Sequence, residues 1–218
     1  MKKYIILLTL ILIMTVLVLA ACGGRSETAK GPLAEFEKAD MSGYAGLEGY
    51  DGPLPFVDVT VQDVHKLIEA KETFVLFVSF EKCPWCNAVI KYFSEVAAEY
   101  SGEEGNANAT NASSTANATG TGACIAYINT RKDPSWGSNL DIDDYDLFVE
   151  DFGEFLDYDS DNIKHLYVPH VFFIKDGAVA YEYQGALPAM GSDPNTVLTD
   201  EQIEELKDIY RAGFENLK

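Results

Sequence analysis

Hydrophobic and polar positions along this chain switch repeatedly between two periods, and the switches mark out the elements. Thr73 to Phe80 is one nearly continuous apolar run rich in β-branched and aromatic residues, the pattern of a strand buried on both faces. Glu81-Lys82 ends the run, and after Cys86 the apolar residues Val89, Ile90, Phe93, Ala97 and Tyr100 recur at helical spacing. Upstream, Phe56 to Val59 predicts a short strand. Thr60 with Asp63 then caps a helix whose apolar stripe is Val61, Val64, Leu67 and Ile68. His65 lies on that helix as a surface residue. Ala123 to Asn129 predicts another buried strand.

Residues 139–161 hold ten acids and no base, with Tyr145, Phe148, Phe152 and Phe155 at helical spacing, so an acidic amphipathic helix is expected. Val171–Ile174 and Val179–Tyr183 flank Lys175-Asp176-Gly177-Ala178, a β-hairpin turn signal. A last helix starts at Thr199, where Gln202 completes a capping box and Ile203, Leu206, Tyr210 and Leu217 form the stripe. Asp157, Asp159 and Asp161 mimic the opening of a calcium loop. Asn162 stands where the turn glycine belongs and Val168 where the closing glutamate belongs, which argues against calcium.

The first 22 residues carry an address. Met1-Lys2-Lys3-Tyr4 is a basic start, and Ile5 to Leu19 is apolar apart from Thr9 and Thr15, a secretory signal pattern. Leu19-Ala20-Ala21-Cys22 closes it and resembles the bacterial lipoprotein signal, which implies that Cys22 is lipidated after removal of residues 1–21. The folded part is then expected outside the cytoplasm, lipid-anchored to the bacterial cell membrane. Residues 22–52, rich in glycine and poor in large apolar side chains, predict a flexible tether spanning roughly 30 Å, with packing of part of Leu33–Tyr50 on the domain as the alternative. Residues 53–218 form a single domain. It is interrupted at 101–122 by a low-complexity insert of Gly, Asn, Ala, Ser and Thr, for which disorder is expected.

Charge narrows the partners. The whole chain carries −19, and residues 1–21 contain two lysines and no acid, so removing them leaves −21. Such a surface argues against nucleic acid and against direct adhesion to anionic lipid.

The chemistry sits at Cys83-Pro84-Trp85-Cys86, between the buried strand and the helix that follows. Free backbone N–H groups and the positive end of the helix favour a thiolate at the first cysteine, and the second lies one turn away. That pairing suits thiol–disulfide exchange. Zinc uses the same spacing but needs about two more ligands. No second C-x-x-C follows, and the remaining cysteine of the folded part, Cys124, stands alone, so no metal and no cofactor are assigned. A purely structural disulfide would gain little from closing so short a loop.

The order of elements resembles the thioredoxin fold, an α/β architecture with a central mixed sheet flanked by helices. Two motifs carry the resemblance: Phe77-Val-Ser-Phe-Glu-Lys-Cys83-Pro-Trp-Cys86, and Leu166-Tyr-Val168-Pro169-His170 running into the hairpin that ends at Gly177. With the lipoprotein signal, the chain looks like a thioredoxin-like lipoprotein of bacteria, similar to the bacteriocin-accessory thioredoxin-like group. The resemblance implies that Cys83 is the exposed attacking thiol, Cys86 the resolving thiol, Pro169 the cis-proline beside them, and Val168 a backbone partner for an extended substrate peptide. Trp85 is expected beside Cys83 as an apolar docking spot. Pro84 and His170 are candidates for tuning the pair, His170 also standing on a strand whose alternation can turn it to the far face. One departure concerns the proton. The buried acid of cytoplasmic thioredoxins stands six residues before the first cysteine, and here that residue is Phe77, with Glu81 close by in sequence.

The function expected is a membrane-tethered thiol–disulfide oxidoreductase exchanging disulfides with exported proteins and served by a membrane redox partner. A non-catalytic binding lipoprotein, and a metallochaperone built on Cys83, Cys86 and His170, are the alternatives. Cys124, at the opposite end of its strand from the redox pair, is expected to be a buried, inert free thiol.

Overall fold

The computed structural model describes residues 31–100, 124–131 and 142–218. The signal peptide, Cys22, the insert expected over 101–122 and the first residues of the acidic segment lie outside the described residues. Strands β1 (Phe56–Asp58), β2 (Phe74–Ser79), β3 (Ile125–Asn129), β6 (His170–Lys175) and β7 (Ala178–Gln184) form one sheet in the order β1-β3-β2-β6-β7. The first three are parallel, β6 runs antiparallel to β2, and β7 runs antiparallel to β6. Strands β4 (Asp157–Tyr158) and β5 (Lys164–His165) make a separate two-stranded hairpin. It occupies the calcium-like stretch, where the Asp159 carboxylate accepts the N–H groups of Asp161 and Ile163 and so caps a turn.

Side-chain alternation divides the core into two layers. Val75 and Phe77 of β2, Ile125 and Tyr127 of β3, and Val171 and Phe173 of β6 face helices α2 (Pro84–Tyr100) and α4 (Asp200–Glu215). The intervening Leu76, Val78, Ala126, Phe172 and Ile174 face α1 (Val61–Glu69) and α3 (Tyr145–Phe152). Period-two strands between period-3.6 helices permit no other arrangement once both sheet faces are apolar. The capping boxes at Thr60–Asp63 and Thr199–Gln202 are both formed. Each cap stabilises its helix by about 1 kcal/mol. The β6–β7 turn uses positive φ at Asp176 (51°) and Gly177 (76°), as its sequence requires. A Cβ on Gly177 would also stand 2.3 Å from the Ile68 carbonyl oxygen.

Part of the stretch expected as a tether packs on the domain. Residues 37–39 pair along β1, with Asp58 N–H donating to Glu37 O at 2.9 Å and Ala39 N–H to Phe56 O at 3.1 Å. Leu33, Met41 and Tyr44 are 3–4 % exposed and belong to the core. These anchors are isolated apolar residues among glycines, so they carry no period that a sequence reading can detect.

Candidate functional site

Cys83 occupies the N-cap position of α2. Its Sγ accepts the Cys86 N–H at 3.1 Å, and its carbonyl accepts the Asn87 N–H at 3.0 Å. Pro84 is the first helical residue, where a missing N–H costs nothing. The sulfur thus takes the place of the side-chain oxygen that ordinarily caps a helix. Across from it, the Val168–Pro169 peptide bond is cis, and the Cys83 thiol donates to the Val168 carbonyl at 3.7 Å. The structure therefore brings Cys83, Cys86, Val168 and Pro169 together. Cys83 is only 3 % exposed and Cys86 fully buried, so the attacking thiol is not the exposed group expected. Both are free thiols.

The two sulfurs are pushed apart electrostatically. A hydrogen bond from the Cys86 thiol, then the N–H groups of Cys86 and Trp85 and the charge of Arg131, hold Cys83 below an ordinary thiol against the opposing effect of burial. Burial, then the bond to Cys83, pushes Cys86 well above one. Such a divergence suits one thiol to act as a nucleophile and the other to hold a proton.

Arg131 follows the end of β3, its guanidinium lying 4.0 Å over the Phe80 ring. Its Nε is buried with no hydrogen-bond partner among the described residues. Sequence reasoning missed it. The available signal was topological: β3 is parallel and adjacent to β2, so the residues just past its carboxyl end flank Cys83 and Cys86. Arg131→Gln is expected to raise the Cys83 pKa and slow iodoacetamide alkylation of that thiol several-fold near neutral pH, where the thiolate is the reacting species. An unchanged rate would assign the lowered pKa to the Cys86 thiol and the helix-end N–H groups without Arg131.

His170 belongs to the other layer. Its ring stacks on Phe172 at 4.0 Å between centroids, its Nε2 meets Glu182 Oε2 at 2.7 Å, and it is fully buried. Because Phe172 faces α1 and α3, His170 points away from the sulfurs, and the set Cys83–Cys86–His170 is not assembled. No group of three or more His, Cys, Asp or Glu among the described residues is placed to hold a metal ion. Trp85 is half-buried against the α2 layer and Pro84 is exposed. Cys124, just before β3, is half-buried, less than expected, and burial raises its pKa.

The segment 33–50 is pinned to this site through Asn87. Its Oδ1 accepts the Gly46 N–H at 2.7 Å, while its Nδ2 donates to Glu81 O at 2.6 Å and to Cys83 O at 2.9 Å. A Cβ on Gly46 would sit 2.0 Å from the Asn87 carbonyl oxygen, so only glycine allows this approach. Tyr44 thereby reaches the core beneath the thiols. Its Oη is hydrogen-bonded to Ser79 Oγ and, at 2.9 Å, to Tyr127 Oη.

Strand order β1-β3-β2-β6-β7, a C-x-x-C opening a helix and a cis-proline before β6 define a thioredoxin-type α/β fold. No family model and no curated protein matches the chain. Among solved structures it is similar to a thioredoxin-fold protein from Helicobacter pylori, at 15 % identity and a TM-score of 0.27, over 81 % of this chain and 99 % of that one. At that score the fold assignment rests on the topology above.

Proposed function

We propose that this protein is a thiol–disulfide oxidoreductase working through Cys83 and Cys86. The observation that carries the proposal is the divergence of two thiols one helical turn apart, the first receiving helix-terminal N–H groups and the second buried. Cys83 thiolate attacks a substrate disulfide and forms a mixed disulfide, releasing one substrate thiolate. Cys86 then attacks Cys83 Sγ, closes the Cys83–Cys86 disulfide and releases the second. The reverse sequence oxidises a substrate dithiol. With Cys83 nearly buried, the substrate sulfur arrives along the seam between Cys83 and Val168, where an extended peptide would meet the Val168 backbone.

The Leu19–Cys22 pattern supports a lipid-anchored, extracytoplasmic setting, and hence exported proteins as substrates and a membrane redox partner. The segment 33–50, folded onto the site, would leave residues 22–32 as the tether.

Cys86→Ser, incubated with exported proteins, is expected to accumulate disulfide-linked adducts through Cys83, visible as bands lost on reduction. Cys83→Ser should accumulate none. Equal trapping by both variants, or by neither, would overturn the assignment.

A further inference from the structure

The oxidoreductase reading leaves one chemical problem at Cys86. To resolve a mixed disulfide, this thiol must become a thiolate in a site with no solvent exposure. The position six residues before Cys83 holds Phe77, fully buried and stacked on Phe93 at 5.1 Å between ring centroids. No carboxylate can act from there.

Two residues further along β2, on the same face, stands Ser79, also fully buried. Its hydroxyl lies beside the Cys86 thiol, where, after the Phe80 backbone, it acts against burial to favour the thiolate. Tyr44 Oη bonds Ser79 Oγ on the other side, and Tyr127 Oη bonds Tyr44 Oη at 2.9 Å. Tyr127 lies on β3, and Asn129 two residues on is the register partner of Ser79. Three hydroxyls from three separate segments thus make a continuous hydrogen-bonded line that ends at Ser79, beside the sulfur. Each hydroxyl has one proton to give and lone pairs to accept with. The whole line can orient one way: Tyr127 donates to Tyr44, Tyr44 to Ser79, and Ser79 to sulfur. Hydrogen bonds in such a chain polarise one another, and the effect is largest in a water-poor interior. Tyr44 and Tyr127 are themselves held above the ordinary phenol range, chiefly by burial, so they remain donors.

We propose that Ser79 and Tyr44, backed by Tyr127, are positioning residues that stabilise the Cys86 thiolate by donated hydrogen bonds, in place of a buried carboxylate. The inference rests on the oxidoreductase reading for its step in the cycle. In that step the Cys86 S–H bond breaks and a Cys86–Cys83 S–S bond forms as the bond between Cys83 and the substrate sulfur breaks. The electron pair leaves on the substrate sulfur, which takes up, through solvent, the proton given up by Cys86. The hydroxyls keep their own protons. Tyr44 makes the segment 33–50 part of the site.

The test is the titration of Cys86 alone, in Cys83→Ser, followed by thiolate absorbance and by alkylation rate against pH. Adding Ser79→Ala is expected to move the midpoint upward and reduce thiolate at a fixed pH by roughly tenfold, the effect of losing one hydrogen bond to a charged acceptor. Tyr44→Phe should shift it in the same direction by less. Tyr210→Phe should leave it in place: that hydroxyl lies in the same layer, fully buried, with no hydrogen-bond partner among the described residues. In the protein with both cysteines, resolution of a preformed mixed disulfide should slow by the same factors. Alkylation of Cys83 in Cys86→Ser should not change with Tyr44→Phe. An unmoved midpoint in both Ser79→Ala and Tyr44→Phe, with thermal unfolding still cooperative, overturns the proposal. A shifted midpoint with no adduct trapped by Cys86→Ser would retain the hydroxyl line and remove the oxidoreductase reading instead.

Discussion

Cys83→Ser is expected to lose disulfide-exchange turnover, by at least about 10³-fold, while keeping its fold. A serine hydroxyl is un-ionised at any working pH and cannot form the mixed disulfide. Its size suits the N-cap position, and its oxygen can accept the Cys86 N–H that Cys83 Sγ now takes at 3.1 Å. The loss is therefore chemical rather than structural, and thermal unfolding beside an insulin-reduction or dithiol-oxidation assay separates the two. The wild-type pH profile follows from the direction of the Cys83 shift. Cys83 is held below an ordinary thiol, first by the Cys86 hydrogen bond. Thiolate is present above that lowered pKa and lost as pH falls through it. The rate of the attacking step should be flat at alkaline pH and fall tenfold per unit below the pKa, with its midpoint lower than that of free cysteine. A midpoint at or above that of free cysteine would show that the Cys86 thiol, the helix end and Arg131 do not activate this thiol.

Phe77→Asp, which installs the carboxyl that cytoplasmic thioredoxins carry there, is expected to unfold the domain rather than improve it. Phe77 is fully buried, with ring centroids of Phe93, Phe56 and Tyr127 at 5.1, 5.7 and 6.3 Å. Removing such a ring costs about 3–5 kcal/mol even as alanine. Aspartate adds the desolvation of a carboxyl with no partner in an aromatic cluster. The sum approaches the roughly 5–15 kcal/mol that holds a typical domain together. Urea unfolding should show Phe77→Ala strongly destabilised and Phe77→Asp without a cooperative transition. A Phe77→Asp variant with the wild-type midpoint would mean that the cluster admits water, and the case for a hydroxyl line at Ser79 would weaken with it.

Both results turn on how a thioredoxin-type sheet is furnished here. The apolar volume six residues before Cys83 moves the polar contact for Cys86 two residues along β2, to Ser79. That displacement needs a second hydroxyl to support it, which arrives on a segment that crosses from β1 to the start of α2.

Local pattern was enough for much of this protein. The apolar runs of β2, β3 and β6, the stripes of α1 and α4, both capping boxes and the Asp176-Gly177 turn are consequences of neighbours within a few residues, so the sequence by itself determined them. It also placed Cys83 and Cys86, since C-x-x-C at a strand-to-helix junction sets both the spacing and the helix-end environment of Cys83. The tertiary structure decided what depends on distant segments meeting. Tyr44 and Met41 reach the core through the glycine-permitted approach of Gly46 to Asn87, which no period announces. Arg131 reaches the thiols because two strands distant in sequence run parallel side by side. His170 turns from the sulfurs because its register with β2 and β7 puts it on the face of Phe172. In each case the chain supplies the residue locally, and only packing between separate elements decides which neighbours it has.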